Sequence, residues 1–570
     1  MIGVPEAHVV DALGAIAQRI YADKGGEPVA VVMPDKLLEA ARIVRDDPRL
    51  ACNYLSFASA QDFTPRIPRF DAIYQFYSIP LRHWMRLRVP IADGEALPSL
   101  SGLFKTADWH ERETYDLFGI PYTGHPDLRR ILLSDNWHGY PLRKEYSHKL
   151  EPAWALGTNV LQNVADEGMA GMEERGSADP TGHIILNMGP QHPATHGVLR
   201  LALELDGENI LNCVPHIGYL HTGIEKLSEF HNWTKNITHY CRMDYLSPMN
   251  NELAYCLAVE KLLGCEIPKR AQYIRVLFSE LTRIISHLVW LGSHAMDIGA
   301  MSVFLYCIAE REKILDMYEE VGGQRMMTSY IRIGGLQADI TERFPDMVLA
   351  WAKEFPAQLK MYHGLLTENP IWRQRTMGIA HLSREDSISY GLSGPLARAV
   401  GIDWDLRRDC PYSSYGEFHF DVPVQQEGDV YARYLVRMEE MAQAHRIVLQ
   451  ALEKIAQTKP SDFVVKNYKI APVPRDRINS SIEELIHHFM YWTDGIHVPE
   501  GEAYGFIEGS KGEHGYFVAS DGTAKPQRVK IRGPSFVNVG ALPAMLKGCL
   551  IADVVAAVGS IDVILGEVDR

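Results

Sequence analysis

Residues 183–205 read HIILNMGPQHPATHGVLRLALEL. The apolar runs at the two ends predict a pair of β-strands. Gly189, Pro190, Pro193 and Gly197 interrupt them and predict a fixed loop. That loop presents His192 and His196. An imidazole can hydrogen-bond a carbonyl and release a proton near neutral pH. Two imidazoles are also half of a metal site, and a turn can equally employ histidines only to bond its own backbone. These residues alone leave the three readings open.

Downstream, Arg242-Met243-Asp244-Tyr245-Leu246-Ser247-Pro248 leads into a helical pattern from about Asn251. A tyrosine at such a junction either packs or turns its hydroxyl toward a cavity. Glu280, Arg283 and His287 fall three and four apart on one helix. They read as a solvated, salt-bridged face or as a polar line leading toward Asp297. Leu288 to Ala309 is long and apolar enough to suggest a bilayer span. Asp297 near its centre costs about 2.5–3.5 kcal/mol in that setting, so a helix buried in a bundle is expected. A carboxylate there needs a partner or a wet cavity. Tyr434, Met438, Met441, His445, Val448, Leu452 and Ile455 form a helical seam. Ser480 with Glu483 reads as a capping box, and residues 516–532 as a hairpin turning at Asp521-Gly522.

Upstream, residues 151–180 contain glycines but no period and read as an exposed linker. Residues 1–150 read as a small mixed unit. Val29–Met33, Tyr74–Ser78 and His83–Val89 are its expected strands. Asp35–Asp46 and Thr106–Phe118 are its expected helices, the second stopped by Gly119 and Pro121. The fold class is therefore α+β: a small α+β domain at 1–150, a linker, and a mainly helical domain with β elements at 181–570.

The chain has 570 residues with 57 Lys plus Arg against 72 Asp plus Glu, so 57 − 72 = −15. Such an acidic chain is poorly suited to a phosphate backbone, and no nucleic-acid partner is expected. Its 8 cysteines include no CxxC pair, which argues against structural zinc, thioredoxin chemistry and iron–sulfur ligation. No metal site is expected. The start, MIGVPEAHVV, lacks the pattern of a signal peptide, and the sparse thiols suit a reducing compartment. The phosphate-binding glycine motifs, the GxSxG elbow and the HExxH helix are all missing. A self-contained dehydrogenase, kinase or common hydrolase is unsupported.

Several longer runs carry a family resemblance. GPQHPATHGVLR (189–200), PHIGYLHTGIEK (215–226), RMDY (242–245), PSFVN (534–538) and GEVDR (566–570) resemble the D-type, quinone-site subunit of respiratory complex I. Glu111-Arg112-Glu113, Asp116 to Ile120, GHPDLRRIL (124–132) and PLRKEY (141–146) resemble its small C-type subunit of the peripheral arm. Together they look like the fused C/D subunit of bacterial NADH–quinone oxidoreductase. The D-type chains are related to nickel–iron hydrogenase large subunits, which hold metal with two CxxC pairs. RMDYLSP and SIDVILGEVDR stand in the corresponding places without cysteines. The tail departs from the family in reading Ile561-Asp562-Val563 where Asp-Pro is usual, a change expected to affect packing rather than chemistry.

The resemblance implies catalytic roles for His196, Tyr245 and Asp297, and quinone contacts for His192, His196 and Tyr245. Asp297 is expected opposite His196, favouring the imidazolium. Quinone is the implied substrate. Iron–sulfur clusters and FMN are expected on partner subunits: a B-type chain with the terminal four-iron cluster, an I-type ferredoxin-like chain, and an H-type membrane chain. The implied location is peripheral, on the cytoplasmic side of the cell inner membrane. The competing reading is a non-redox assembly scaffold of a hydrogenase-related membrane complex.

Overall fold

The computed structural model describes residues 6–146 and 183–570. The linker expected at 151–180 lies outside them. The first portion starts with α1 (Glu6–Leu13) and the hairpin β1 (Ala17–Ala22) and β2 (Pro28–Val32). A 3-10 turn at Pro34–Lys36 delays the expected helix, so α2 covers Leu37–Asp46. β3 (Tyr54–Asp62), β4 (Phe70–Ser78) and β5 (His83–Ile91) complete a five-stranded sheet in the order β1-β2-β5-β4-β3. Within it β2 and β5 run parallel and the other pairs antiparallel. Short strands β6 (Leu97–Pro98) and β7 (Tyr122–Thr123) flank α3 (Ala107–Phe118). Gly119 ends α3 at φ 74, its N–H bonded to Tyr115 O.

The second portion opens with an antiparallel sheet of β8 (Ile184–Met188), β9 (Arg200–Asp206) and β10 (Asn209–His216). Helices α4 (Ile224–Phe230), α5 (Trp233–Tyr240), α6 (Pro248–Leu263), α7 (Lys269–Asp297) and α8 (Met301–Gly322) follow. After the short pair β11 (Ile331–Arg332) and β12 (Gly335–Leu336) come α9 (Phe344–Leu366), α10 (Val430–Ala456) and α11 (Ile482–Thr493). The hairpin β13 (Gly501–Gly509) and β14 (Gly512–Ser520) continues into β15 (Arg528–Arg532), then α12 (Asp553–Ile561) and α13 (Leu565–Asp569). α8 and α10 pack along α7. The seam Tyr434 to Ile455 is the buried stripe of α10, with His445 half-buried.

Three local expectations change. Leu288–Ala309 is the end of α7 and the start of α8, broken at Ile298–Ala300, where Gly299 takes φ +105. Met301, Leu305 and Tyr306 on its far side are exposed. No helix among the described residues is long and apolar enough to cross a membrane. Glu280, Arg283 and His287 are fully buried rather than solvated. Arg407 binds Glu280 at 3.0 Å, His287 Nε2 meets Glu440 at 2.9 Å, and Arg398 bridges Glu440 and Glu508 at 2.7 and 2.9 Å. The compensating charges come from remote segments, so one helix alone cannot reveal them. The capping residue of α11 is Ser481, one position later than expected, accepting from Glu484 N–H at 3.2 Å.

The two portions share their interior. All nine residues of β3 and of β4 are buried, because the second face of the sheet lies against β13–β15 and the 397–410 segment. Tyr54 and Tyr77 meet Trp404 at ring separations of 4.9 and 5.1 Å, Phe57 meets Tyr504 at 5.3 Å and Trp84 meets Phe506 at 4.9 Å. Glu513 accepts from Ser56 (2.6 Å), Tyr54 (2.8 Å) and Tyr504 (2.6 Å). Lys530, on β15, binds Glu113 of α3 at 2.6 Å and faces Glu225 of α4 at 3.5 Å. Arg570 reaches Glu113 at 3.1 Å and Arg528 reaches Glu225 at 2.8 Å.

Removing one member of such a buried set leaves charge without compensation, at a cost of about 3–5 kcal/mol. Lys530→Met should therefore lower the urea midpoint strongly. Lys105→Ala breaks the half-exposed Lys105–Asp386 pair and should cost about 0–1 kcal/mol. Equal midpoints for the two variants would contradict this account of the join.

Candidate functional site

The 189–199 loop is closed by its own backbone. Gly189 has φ +86, and a Cβ there would come within 2.2 Å of Leu199 O, so the turn needs glycine. The buried Thr195 hydroxyl donates to His192 O at 2.9 Å. Pro193–Thr195 forms a 3-10 turn that ends on His196 at φ 53, its N–H on Pro193 O at 3.1 Å. His196 stands on this left-handed backbone at the surface of the loop, where the residue is partly exposed while neighbouring groups shield its ring. His192 is used differently: its Nδ1 accepts the Ala194 N–H at 3.2 Å. The turn-bonding reading thus describes one nitrogen of His192, and leaves His196 unexplained.

Tyr245 sits on the turn before α6, as the sequence suggested. Ser247 N–H donates to Asp244 O at 3.0 Å, Leu246 N–H to Asp244 Oδ1 at 3.1 Å, and Asn251 Nδ2 to Asp244 O at 3.1 Å. Pro248 begins the helix, where a missing N–H costs nothing. Tyr245 is half-buried. Among the described residues, the Tyr245 hydroxyl, the His196 ring and the Asp297 carboxylate have no hydrogen-bond partner.

Behind Tyr245 lies a cation that the sequence reading missed. Lys511, in the tight turn between β13 and β14, is buried, with Nζ 3.0 Å from Asp244, 2.9 Å from Ser286 Oγ and 3.6 Å from Asp562. The 242–248 and 560–570 segments thus meet at an ammonium through Asp244 and Asp562. The signal was present as a glycine-flanked turn, Gly509-Ser510-Lys511-Gly512, between two alternating runs. The C-terminal run is locked in by its own carboxylates. Asp569 accepts from Gly218 N–H (2.9 Å) and Leu220 N–H (2.7 Å), and Glu567 meets His514 at 2.9 Å and Ser535 N–H at 3.0 Å.

The expected Asp297–His196 pairing is not what the structure shows. Asp297 is the last residue of α7, and the ionisable side chain that acts on it is His192. Desolvation raises the Asp297 pKa, which His192 partly offsets. His196 is held below the ordinary histidine value, first by desolvation and then by the Lys511 ammonium, so the neutral imidazole is favoured over the imidazolium. Burial raises Tyr245, with Asp244 and Asp562 adding to the rise and Lys511 opposing it.

Asp562 is the most perturbed carboxyl here, pushed up to about 6 by burial against the pull of Lys511 and Arg437. A carboxyl with a raised folded pKa binds its proton more tightly in the native state. Its ionisation therefore costs stability as pH climbs from the unfolded value through about 6. Asp562→Asn should raise the thermal midpoint relative to the parent at pH 8, and the gap should close by about pH 4. A gap that widens on acidification would contradict this environment for Asp562.

Residues 297–570 match the family model described as the 49 Kd subunit of respiratory-chain NADH dehydrogenase, and residues 30–151 match its 30 Kd subunit. Over 387 residues the chain is 54% identical to the NADH-quinone oxidoreductase D-type subunit numbered 2 of Koribacter versatilis (strain Ellin345), covering 68% of this chain and 96% of that protein. The D-type subunit of Geobacter sulfurreducens is 52% identical over 387 residues, with 68% of this chain and 98% of the relative covered. The D-type subunit numbered 1 of Herpetosiphon aurantiacus is 52% identical, with 68% and 92% covered. The chain therefore belongs to the D-type subunit family of NADH-quinone oxidoreductase, and carries the 30 Kd-type segment of the same respiratory dehydrogenase fused ahead of it in one polypeptide.

Proposed function

We propose that this chain forms one wall of the quinone-reduction site of a proton-translocating NADH–quinone oxidoreductase, with Tyr245 and His196 as the groups that meet the quinone carbonyls. The observation that carries this reading is the pair of polar side chains, Tyr245 and His196, that have no hydrogen-bond partner among the described residues and stand on two turns held by their own backbone and by buried side chains. A quinone has two carbonyl oxygens, and each needs a donor as two electrons and two protons arrive. The Tyr245 hydroxyl can donate a hydrogen bond and then its proton. His196, favoured as neutral imidazole, donates a ring N–H. Asp297 ends α7 near His192 with its carboxylate free among the described residues, and the Nε2 of His192 remains available to the ligand.

The electrons are assigned to a four-iron cluster on a B-type neighbour. The scattered cysteines of this chain, all free thiols, supply no ligand set for one, and FMN belongs to the same outside machinery. An I-type ferredoxin-like chain and an H-type membrane chain are the further partners. The location is peripheral, at the cytoplasmic face of the cell inner membrane.

Tyr245→Phe keeps the ring and deletes the hydroxyl. A lost neutral hydrogen bond is worth about 0.5–1.5 kcal/mol, whereas a lost general acid costs about 10²–10⁴-fold in rate. The larger range should govern quinone reduction by the assembled complex, while NADH oxidation with an artificial acceptor upstream of the quinone persists. Equal loss of both activities would favour the scaffold reading. Two unchanged activities would remove Tyr245 from the chemistry.

A further inference from the structure

We propose that Lys511 is the positioning residue of this site: its ammonium pins the turn that presents Tyr245 and, among the described residues, is the cation that Tyr245 and His196 both face. The proposal rests on the quinone-site reading above and deepens it.

The geometry begins with the hairpin tip. Ser510 and Lys511 link the paired residues Gly509 and Gly512. Gly512, at φ +131, lies so close to the 393–394 backbone that a Cβ would meet Ser393 Oγ at 2.4 Å. The tip is therefore wedged. From it, Ser510 Oγ reaches Ser247 Oγ at 2.9 Å while Lys511 Nζ reaches Asp244 at 3.0 Å. Residues 244 and 247 bracket Tyr245, so the hairpin grips its turn on both sides. Ser286 of α7 takes hydrogen bonds from both tip residues, each at 2.9 Å. On the other flank Lys511 faces Asp562, which follows α12 at φ 52. α12 packs against the Pro193–Thr195 turn that ends on His196. One ammonium thus ties the Tyr245 turn to the element that backs the His196 loop.

The charges around it give the electrostatic side. Asp244, Asp562 and Glu567 face Lys511, and Arg437 faces Asp562 from α10. Burial works against the ammonium, but these carboxylates outweigh it and hold Lys511 above the ordinary lysine value, so it stays charged. That charge lowers the pKa of both Tyr245 and His196. A nearby cation steadies the phenolate that forms when Tyr245 gives up its proton, and disfavours the imidazolium at His196. Lys511 transfers no atom itself. It biases Tyr245 toward proton donor and His196 toward hydrogen-bond donor.

The test uses the assembled complex in membranes and three variants: Lys511→Met, Lys511→Arg, and Lys511→Met with Asp562→Asn. The last removes one positive and one negative charge, so the cluster keeps its net charge and assembly is protected. Both neutral variants should lose quinone reduction by about 10²-fold through the misplaced turn. Their pH profile should move upward by about one unit, with NADH oxidation by an artificial acceptor retained. Lys511→Arg should keep the parent profile. A neutral variant that assembles and shows the parent profile, or an Arg variant displaced as far as Met, overturns the proposal. Loss of assembly in both neutral variants would make the lysine a folding group alone and overturns it too. If Tyr245→Phe also leaves quinone reduction intact, the quinone-site reading falls as well. If Tyr245→Phe abolishes it while the Lys511 variants keep the parent profile, only the role of Lys511 falls.

Discussion

A cation placed in a protein interior has to be met by carboxylates, and in this chain the carboxylates come from distant segments. Lys530 draws Glu113 of the first portion to Glu225 of the second. Lys511 draws the Asp244 turn to the C-terminal Asp562. Arg398 and Arg407 gather Glu440, Glu508, Glu280 and Asp405 from four parts of the chain. Each such group is costly if left alone, so each restricts which packings are allowed. The apolar contacts supply most of the driving force. The buried ions decide which segments must lie beside one another, and the turns at 189–199 and 242–247 inherit their positions from that choice.

What could be read in advance follows the same physics. The α10 seam has a buried stripe that helical periodicity reveals, and β8, β9 and α3 are marked by the Gly and Pro that bound them. β3 has no wet face, so YLSFASAQD shows no alternation. Glu280, Arg283 and His287 look like surface residues because their partners, Arg407 and Glu440, lie more than a hundred positions away. The two site loops were visible because Gly and Pro mark turns and because the family runs are long. Lys511 was not, since a lysine in a hairpin turn ordinarily faces water. The placement of Asp297 near His192 rather than His196 depends on where α7 stops, at Asp297 just before Gly299, a boundary that an apolar run does not disclose.

The chemistry of the proposed site differs in one respect from what the resemblance implies. A histidine opposite a carboxylate would be a charged acid. Here the charge that acts on His196 is the Lys511 ammonium, and Asp297 feels His192 instead. Tyr245 is left as the stronger candidate for proton delivery, with a fixed cation to stabilise what remains after the proton leaves. In the proposed site Tyr245 gives one of the two protons that quinone reduction takes up and His196 a hydrogen bond, the second proton coming from solvent, and a single ammonium biases that division.

The most direct measurement is photolabelling of the assembled complex with a light-activated quinone analogue, followed by peptide mapping of this chain. The account predicts label in both 189–197 and 242–248, displaced together by excess unmodified quinone. Label absent from both segments and concentrated elsewhere, for instance in the cleft of about 240 Å³ lined by Lys235, Arg332 and Trp492, would contradict it.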